Sequence, residues 1–363
     1  MENIYDLDTP ALLIDLDRLE ANISWMAGLA KEGKKLFRPH AKTHKTPEIA
    51  RMQLDKGAIG LTCAKVGEAE VFAANGVTDI FIANQIVGGS KISRLISLAE
   101  KIKISVGVDS YETADPISRA ANARGLKVGV RVEVDTGLKR SGTRSLEETL
   151  KLVRDIDIMP GLEFEGIFTY EGLIYTVGSC EDRAELVKNV SKILRELRQS
   201  LAEAGYMPNI ISVGSTPAAP LMSKEDGPNE MRCGVYVFCD RMQVSRGIEE
   251  SRCALTALST VISVRPDNRV IIDAGTKTLA SDKPFPDLTM GSILDDPSYL
   301  FLAASEEHGH LQIDGVPSVK VGDKLRIVPN HACTCVNLHD TLYGFRGEQV
   351  ETVWKVQARG KVS

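Results

Sequence analysis

Short apolar runs recur through roughly the first two thirds of this chain, most of them separated by amphipathic stretches of helical period. Apolar residues at consecutive positions mean burial on both faces, which is how the strands of a parallel sheet read. The candidate strands are Lys35–Arg38, Ile59–Cys63, Asp79–Asn84, Lys103–Asp109, Lys127–Asp135, Leu162–Thr169, Asn209–Gly214 and Met231–Cys239. The helices between them carry their own punctuation. Thr46 and Pro47 form an N-cap with proline at the first helical position. Gly57, Gly76 and Gly125 close helices, Ser145 with Glu147 and Glu148 opens another, and the longest helical stretch runs over Glu181–Ala204. Eight strands alternating with helices predict an α/β fold, a parallel (β/α)8 TIM-type barrel. An open doubly wound sheet is the alternative, but the glycine-rich turn that such a sheet carries after its first strand is absent.

From about residue 250 the pattern changes. Long helical stretches disappear, and Ala254–Val264, Arg269–Asp273, His310–Ile313, Lys324–Val328, Asp340–Phe345 and Val350–Val356 read as strands between Gly and Pro turns. Residues 1–250 are therefore expected to form the barrel and residues 251–363 a smaller C-terminal β domain. The opening strand Ala11–Asp15, followed by a helix over Leu16–Leu29, is surplus to a barrel of eight, so residues 1–15 are candidates to join the β domain.

The balance of 43% hydrophobic and 26% charged residues is that of a globular protein. A net charge of −5 without a run of Lys or Arg gives no basis for nucleic acid or an anionic membrane as partner. No apolar run suggests a membrane span, and the first five residues lack the features of a signal peptide. Seven scattered cysteines, an odd number in a large chain, predict reduced thiols and a cytoplasmic location.

Barrel enzymes place their chemistry at the C-terminal ends of the strands. Those positions hold Arg38-Pro39-His40-Ala41-Lys42-Thr43-His44-Lys45, then Asp135-Thr136-Gly137-Leu138-Lys139-Arg140-Ser141-Gly142, then Tyr170-Glu171-Gly172, then Gly214-Ser215-Thr216, with Tyr236 and Asp240 near the end of the eighth strand. Gly214, Ser215 and Thr216 suit a phosphate through small residues, hydroxyls and a possible helix start. A plain turn is the simpler account of that tripeptide. The basic cluster at 38–45 is either a solvated loop or the seat of a reactive lysine amine. The six histidines fall in three pairs and leave 45–307 empty. If His331-Ala332-Cys333 is extended, its imidazole and thiol project from one face, shared by Cys335. Two ligands are too few for a structural zinc site but leave positions for water or substrate, whereas a buried cysteine beside a turn histidine is the plainer reading.

Thr9-Pro10-Ala11-Leu12-Leu13-Ile14-Asp15 together with the Arg38–Lys45 segment resembles the D-threonine aldolase and D-serine dehydratase family, a branch of the alanine-racemase-like pyridoxal-phosphate enzymes. Pro329-Asn330-His331-Ala332-Cys333 with Asn337-Leu338-His339-Asp340 resembles the metal segment of that branch, and Asp273-Ala274-Gly275 and Glu307-His308-Gly309 resemble further landmarks. The resemblance runs in order along nearly the whole chain. It implies pyridoxal 5'-phosphate linked covalently to Lys42, with His40 close by. Gly214, Ser215 and Thr216 would hold the phosphate with Tyr236, Arg140 would lie near the cofactor, and Tyr170 beside its ring. A divalent metal, zinc or manganese, would sit on His331 and Cys333. It further implies a D-amino acid with a 3-hydroxyl as the small-molecule substrate, and a homodimer.

Two activities fit that resemblance. The leading one is retro-aldol cleavage to glycine and an aldehyde, which residues 336–340 and the tail Ala358-Arg359-Gly360 favour. The alternative is D-serine or D-threonine dehydration. His-x-Cys in place of the aldolase His-x-Asp favours it, as does Leu173-Ile174-Tyr175-Thr176 where the aldolase pattern has a histidine. An amino-acid racemase would have no use for the metal. A non-catalytic pyridoxal-phosphate carrier resembles the barrel alone. The bland readings are that Cys63, Cys233 and Cys239 are core, and that Glu307 and His308 form a turn. His44 and Lys45 shape the basic pocket or face solvent.

Overall fold

The computed structural model describes residues 2–283 and 289–363. It resolves into two compact units. One comprises Trp25–Lys42, Ile49–Gly234 and Lys361–Ser363, the other the residues up to Ser24, Thr43–Glu48 and Val235–Gly360. A cut at residue 250 does not describe this division, because the sheet of the second unit needs the N-terminal strand and because the barrel ends at Gly234. No helix among the described residues is long and apolar enough to cross a membrane.

In the first unit, eight parallel strands run in sequence order around the sheet: β2 (Leu36–Phe37), β3 (Leu61–Cys63), β4 (Asp79–Ile82), β5 (Lys103–Val108), β6 (Val128–Glu133), β7 (Leu162–Phe168), β8 (Ile210–Val213) and β9 (Glu230–Met231). Main-chain bonds from Ile59 to Phe37, Thr62 to Pro39 and Ala41 to Thr62 join β3 to the β2 segment, so the sheet closes and the doubly wound alternative falls. The crossover helices begin and end where the side chains allow. Ser110, Ser145 and Ser179 each accept a main-chain N–H of the first turn, as N-caps do. Gly57, Gly76 and Gly125 take positive φ just past helix ends. The last barrel strand is shorter than Met231–Cys239. Its main-chain bonds continue through Arg232 and Cys233, but the chain then turns into a 3-10 segment, Val235–Val237.

The barrel interior is partly ionic. Glu230 on β9 is fully buried and receives Arg38 Nε at 3.0 Å, Arg131 Nη1 at 2.6 Å and the Ser212 hydroxyl at 2.7 Å. Arg38 extends to Asp79 on β4 at 2.5 Å, and Arg131 to Glu165 on β7 at 3.0 Å. Burial opposes the Glu230 charge, but the Arg131 and Arg38 guanidiniums outweigh it and hold the carboxyl below its ordinary range.

In the second unit, nine strands among the described residues form one mostly antiparallel sheet. β1 (Ala11–Asp15) pairs antiparallel with β10 (Leu255–Val264) and parallel with β16 (Thr341–Arg346), as its surplus position in the sequence suggested. β11 (Arg269–Ile272), β14 (Gly309–Gln312), β15 (Lys324–Pro329) and β17 (Gln349–Lys355) lie where the sequence places strands. β12 (Gly291–Ile293) and β13 (Leu300–Ala304) were not legible. The first has only three residues, and the second exposes Leu300 and Leu302, which blurs its inside–outside alternation.

Replacing Glu230 by Gln leaves two buried guanidiniums without their counter-charge. Removing one partner of a buried pair costs about 3–5 kcal/mol, so Glu230→Gln is expected to lower the denaturant midpoint by that equivalent; a loss under about 1 kcal/mol would contradict it. Because the folded Glu230 value is depressed, its stabilisation is present above the ordinary carboxylate range. It is lost as pH falls through the folded value, so the acid limb of a stability–pH curve is expected to flatten in the variant.

Candidate active site

The β2 segment delivers the first group. His40 bridges to Thr62 and its N–H donates to the Cys233 carbonyl at 3.0 Å, while Ala41 N–H donates to Thr62. Residues on either side of the turn are thus locked, and the His40 ring nitrogen Nδ1 receives the Lys42 N–H at 3.4 Å. Lys42 itself is exposed, with its amine 5.9 Å from the centre of the Tyr170 ring, just past β7. Arg140, after β6, places its guanidinium carbon 5.2 Å from the same ring. One aromatic ring therefore carries two cations, each attracted by its π face. Arg140 is steered from behind by the buried Glu133 at 3.4 Å, which also receives Gln85 at 2.5 Å and the Ser141 hydroxyl at 2.9 Å.

The turn after β8 holds Gly214, Ser215 and Thr216, with both hydroxyl residues buried. Its amides are committed in a way the sequence reading did not anticipate. Gly214 N–H (3.1 Å) and Ser215 N–H (2.9 Å) donate to the buried carboxylate of Glu171, and so does the Ser215 hydroxyl (3.3 Å). Beneath the turn lies Arg232, fully buried, one of whose Nη groups donates to the Thr169 carbonyl. Its Nε is buried without a partner among the described residues. Burial pulls the Arg232 pKa below its ordinary value despite Glu171, Glu133 and Glu230. Glu171 and Arg232 were missed as site residues. Glu171 stands beside Tyr170 in a segment already singled out, so position alone could have flagged it. Arg232 lies inside what read as an apolar strand and gave only the signal of a charge in a buried run.

These residues fit pyridoxal phosphate. An exposed amine lies near an aromatic ring, a turn of small and hydroxyl residues follows the seventh barrel strand, and Arg232 Nε is a buried donor without a partner among the described residues. Tyr236 is different. It belongs to the other unit, fully buried in the 3-10 turn Val235–Val237.

In that second unit the His331–Cys333 segment is not extended. Ala332–Val336 is a short helix with His331 as its N-cap residue, because the buried Asp240 accepts the Ala332 N–H at 2.8 Å and starts the turn. Cys333 nevertheless lies close enough to His331 to help raise its pKa. Helical spacing removes Cys335 from the pair. It is buried, and its thiol donates to the Thr278 carbonyl at 3.2 Å. His331 Nδ1 is 3.1 Å from Asp282, whose other oxygen takes the Thr334 hydroxyl at 2.8 Å. Burial disfavours the charged ring, but the bonds to Asp282 and Cys333 outweigh it and raise His331 to about 11. Among the described residues no group of three or more His, Cys, Asp or Glu is placed to hold a metal. An imidazole oriented by a carboxylate beside a thiol is nevertheless the donor set of an open, two-ligand site rather than a closed structural one. His339 and His310 serve elsewhere: His339 lies 2.9 Å from the Thr278 carbonyl, and His310 pairs with Ser305. Glu307 forms an exposed ion pair with Lys277, and Asp273 ties Thr9 and Ser259 together.

A closed β/α barrel with a lysine at the end of its first strand, joined in one chain to an antiparallel β domain, is the architecture of alanine-racemase-like enzymes. The model described as "Alanine racemase, N-terminal domain" matches residues 14–242, and that of a putative serine dehydratase domain matches residues 254–345. The chain is 36% identical to a D-threonine aldolase of Arthrobacter sp, over 98% of this chain and 93% of the relative. It is 35% identical to a 3-hydroxy-D-aspartate aldolase of Paracoccus denitrificans, with the same coverage. The crystal structure of D-threonine aldolase from Filomicrobium marinum superposes with a TM-score of 0.93 at 31% identity, covering 99% and 98% of the two chains. D-threo-3-hydroxyaspartate dehydratase from Delftia sp. HT23 gives 0.90 at 29%, covering 98% and 99%. The chain belongs to the D-threonine aldolase and D-serine dehydratase family and is a pyridoxal-phosphate-dependent lyase.

A Cβ at Gly214 would stand 2.6 Å from Arg232 Cγ and 2.7 Å from its Nη1. Gly214→Ala is therefore expected to cost about 1–3 kcal/mol of stability and to weaken cofactor retention, read from the melting curve and the bound-cofactor absorbance. Unchanged values in both would show that the turn tolerates displacement.

Proposed function

We propose that this lyase cleaves D-3-hydroxy amino acids in the retro-aldol sense, giving glycine and an aldehyde, with pyridoxal phosphate and a divalent cation. The observation that carries the reading is Lys42 beside the Tyr170 ring in one unit and His331 two residues from Cys333 at the start of a short helix in the other, in a chain that matches D-threonine aldolases over nearly its whole length.

In this reading Lys42 holds the cofactor covalently and Tyr170 flanks its ring. Arg140 lies near it, His40 fixes the Lys42 main chain, and the Gly214–Thr216 turn receives the phosphate together with Tyr236. Glu171 takes the Gly214 and Ser215 amides and the Ser215 hydroxyl, so it holds the shape of the turn that receives the phosphate. Bound pyridoxal phosphate supplies an electron sink for the pair left on the substrate Cα. His331 and Cys333 hold the cation, which supplies Lewis acidity at the substrate 3-hydroxyl, and Asp282 orients the His331 ring. The sulfur ligand favours zinc, and manganese is the second candidate.

Dehydration is the second reading. The His-x-Cys pair and the absence of a histidine after Tyr170 favour it, and one similar solved structure is a cysteine-to-alanine variant of a D-threo-3-hydroxyaspartate dehydratase in the metal-free form. Here Lys42 Nζ would take the Cα proton and the hydroxyl would leave. A homodimer and a cytoplasmic location complete the proposal, the second supported by seven cysteines that are all unpaired.

Product analysis decides between the two. With D-threonine, acetaldehyde and glycine are expected, lost on chelation and restored by zinc or manganese. Ammonia with 2-oxobutyrate, or pyruvate from D-serine, would replace the aldolase reading by the dehydratase one. Lys42→Ala is expected to abolish turnover and the cofactor's protein-bound absorbance together; retained turnover would remove Lys42 from its role.

A further inference from the structure

The residue after Lys42 carries a contact that the cofactor does not explain. Thr43 is fully buried, and its hydroxyl lies 3.2 Å from Cys333 Sγ. The segment Thr43–Glu48 belongs to the same compact unit as Cys333, whereas Lys42 belongs to the other. Two further bonds fix that segment. Lys45 Nζ donates to Asn337 Oδ1 at 2.8 Å, and Ala358 N–H donates to the Lys45 carbonyl at 3.0 Å. Asn337 is the C-cap residue of the helix Ala332–Val336. Thr43 thus grips the first turn of that helix and Lys45 its end. Lys45 adopts φ +51°, a left-handed conformation uncommon for a lysine.

We propose that Thr43 is a positioning residue for the metal site, its hydroxyl donating to Cys333 Sγ and fixing the sulfur as a ligand. This rests on the reading of His331 and Cys333 as metal ligands. A cysteine that binds a metal does so as thiolate, which has no proton to give, so the Thr43 hydroxyl must be the donor. Outer-shell partners of this kind hold a ligand in its binding rotamer and tune its basicity. Because Thr43 follows Lys42 in the chain, metal binding is also expected to register in the absorbance of cofactor bound to Lys42.

The test uses the cofactor-loaded, metal-stripped full chain. Zinc and manganese affinities are measured by competition with a chelator, and cobalt is added separately to read the thiolate-to-cobalt charge-transfer band. Thr43→Val and Thr43→Ala are expected to weaken metal binding about 10–100-fold and to shift that band, with Thr43→Ser remaining within about threefold of the parent. The perturbation of cofactor absorbance by metal is expected to shrink in the Val and Ala variants. Cys333→Ala is the control. If it loses the metal and the band while Thr43→Val and Thr43→Ala keep parental affinity and an unshifted band, the Thr43 inference is overturned. A Thr43→Ser variant as weak as Thr43→Val would overturn it too, since packing and not the hydroxyl would then be at work. If Cys333→Ala binds metal as the parent does, the metal-ligand reading fails first.

Discussion

The barrel depends on Glu230. Among the described residues it is the one carboxylate paired with both Arg38 and Arg131, and it links the first, fifth and last barrel strands across the interior. A buried ion pair of this kind adds little net stability compared with an apolar core, because desolvation offsets attraction. What it imposes is register. Each guanidinium must meet a carboxylate at one position, so Arg38 on leaving β2 and Arg131 on β6 fix where their strands stop relative to β9. Since the site residues sit just beyond those stops, the ionic layer determines the height at which Lys42 emerges.

Above that layer, each site residue has a supporting partner. Glu133 backs Arg140, Glu171 ties down the turn after β8, and Arg232 packs under Gly214. The carboxylates and the buried Arg232 compensate one another in a region where an isolated charge would be costly. The result is a mouth in which the Tyr170 ring lies near both the Lys42 amine and the Arg140 guanidinium. That arrangement suits a phosphorylated aromatic aldehyde better than an apolar ligand.

The second unit applies the same logic to a different donor set. Asp240 starts the helix that carries Cys333, and Asp282 lies 3.1 Å from His331 Nδ1, so two carboxylates set the placement of His331 and Cys333. The correction from extended segment to helix matters chemically. In a strand, Cys335 would have joined His331 and Cys333. In a helix it turns inward and donates to the Thr278 carbonyl, apart from His331 and Cys333.

The sequence by itself determined the alternation of strands and helices, the change of pattern after the barrel, the surplus of Ala11–Asp15, and the positions of Lys42, Tyr170 and the His331–Cys333 pair. These were legible because periodicity, caps and strand ends are local properties. The barrel's end at Gly234, the short strands Gly291–Ile293 and Leu300–Ala304, and the inclusion of Thr43–Glu48 in the second unit were decided by tertiary structure. So were the partners of the charges: Glu171 on the Gly214 turn, Arg232 beneath it, Glu230 between two arginines. A charged residue in an apolar run signals only that something must compensate it. Which group does so depends on contacts between residues far apart in the chain, and those exist only once the sheet has closed.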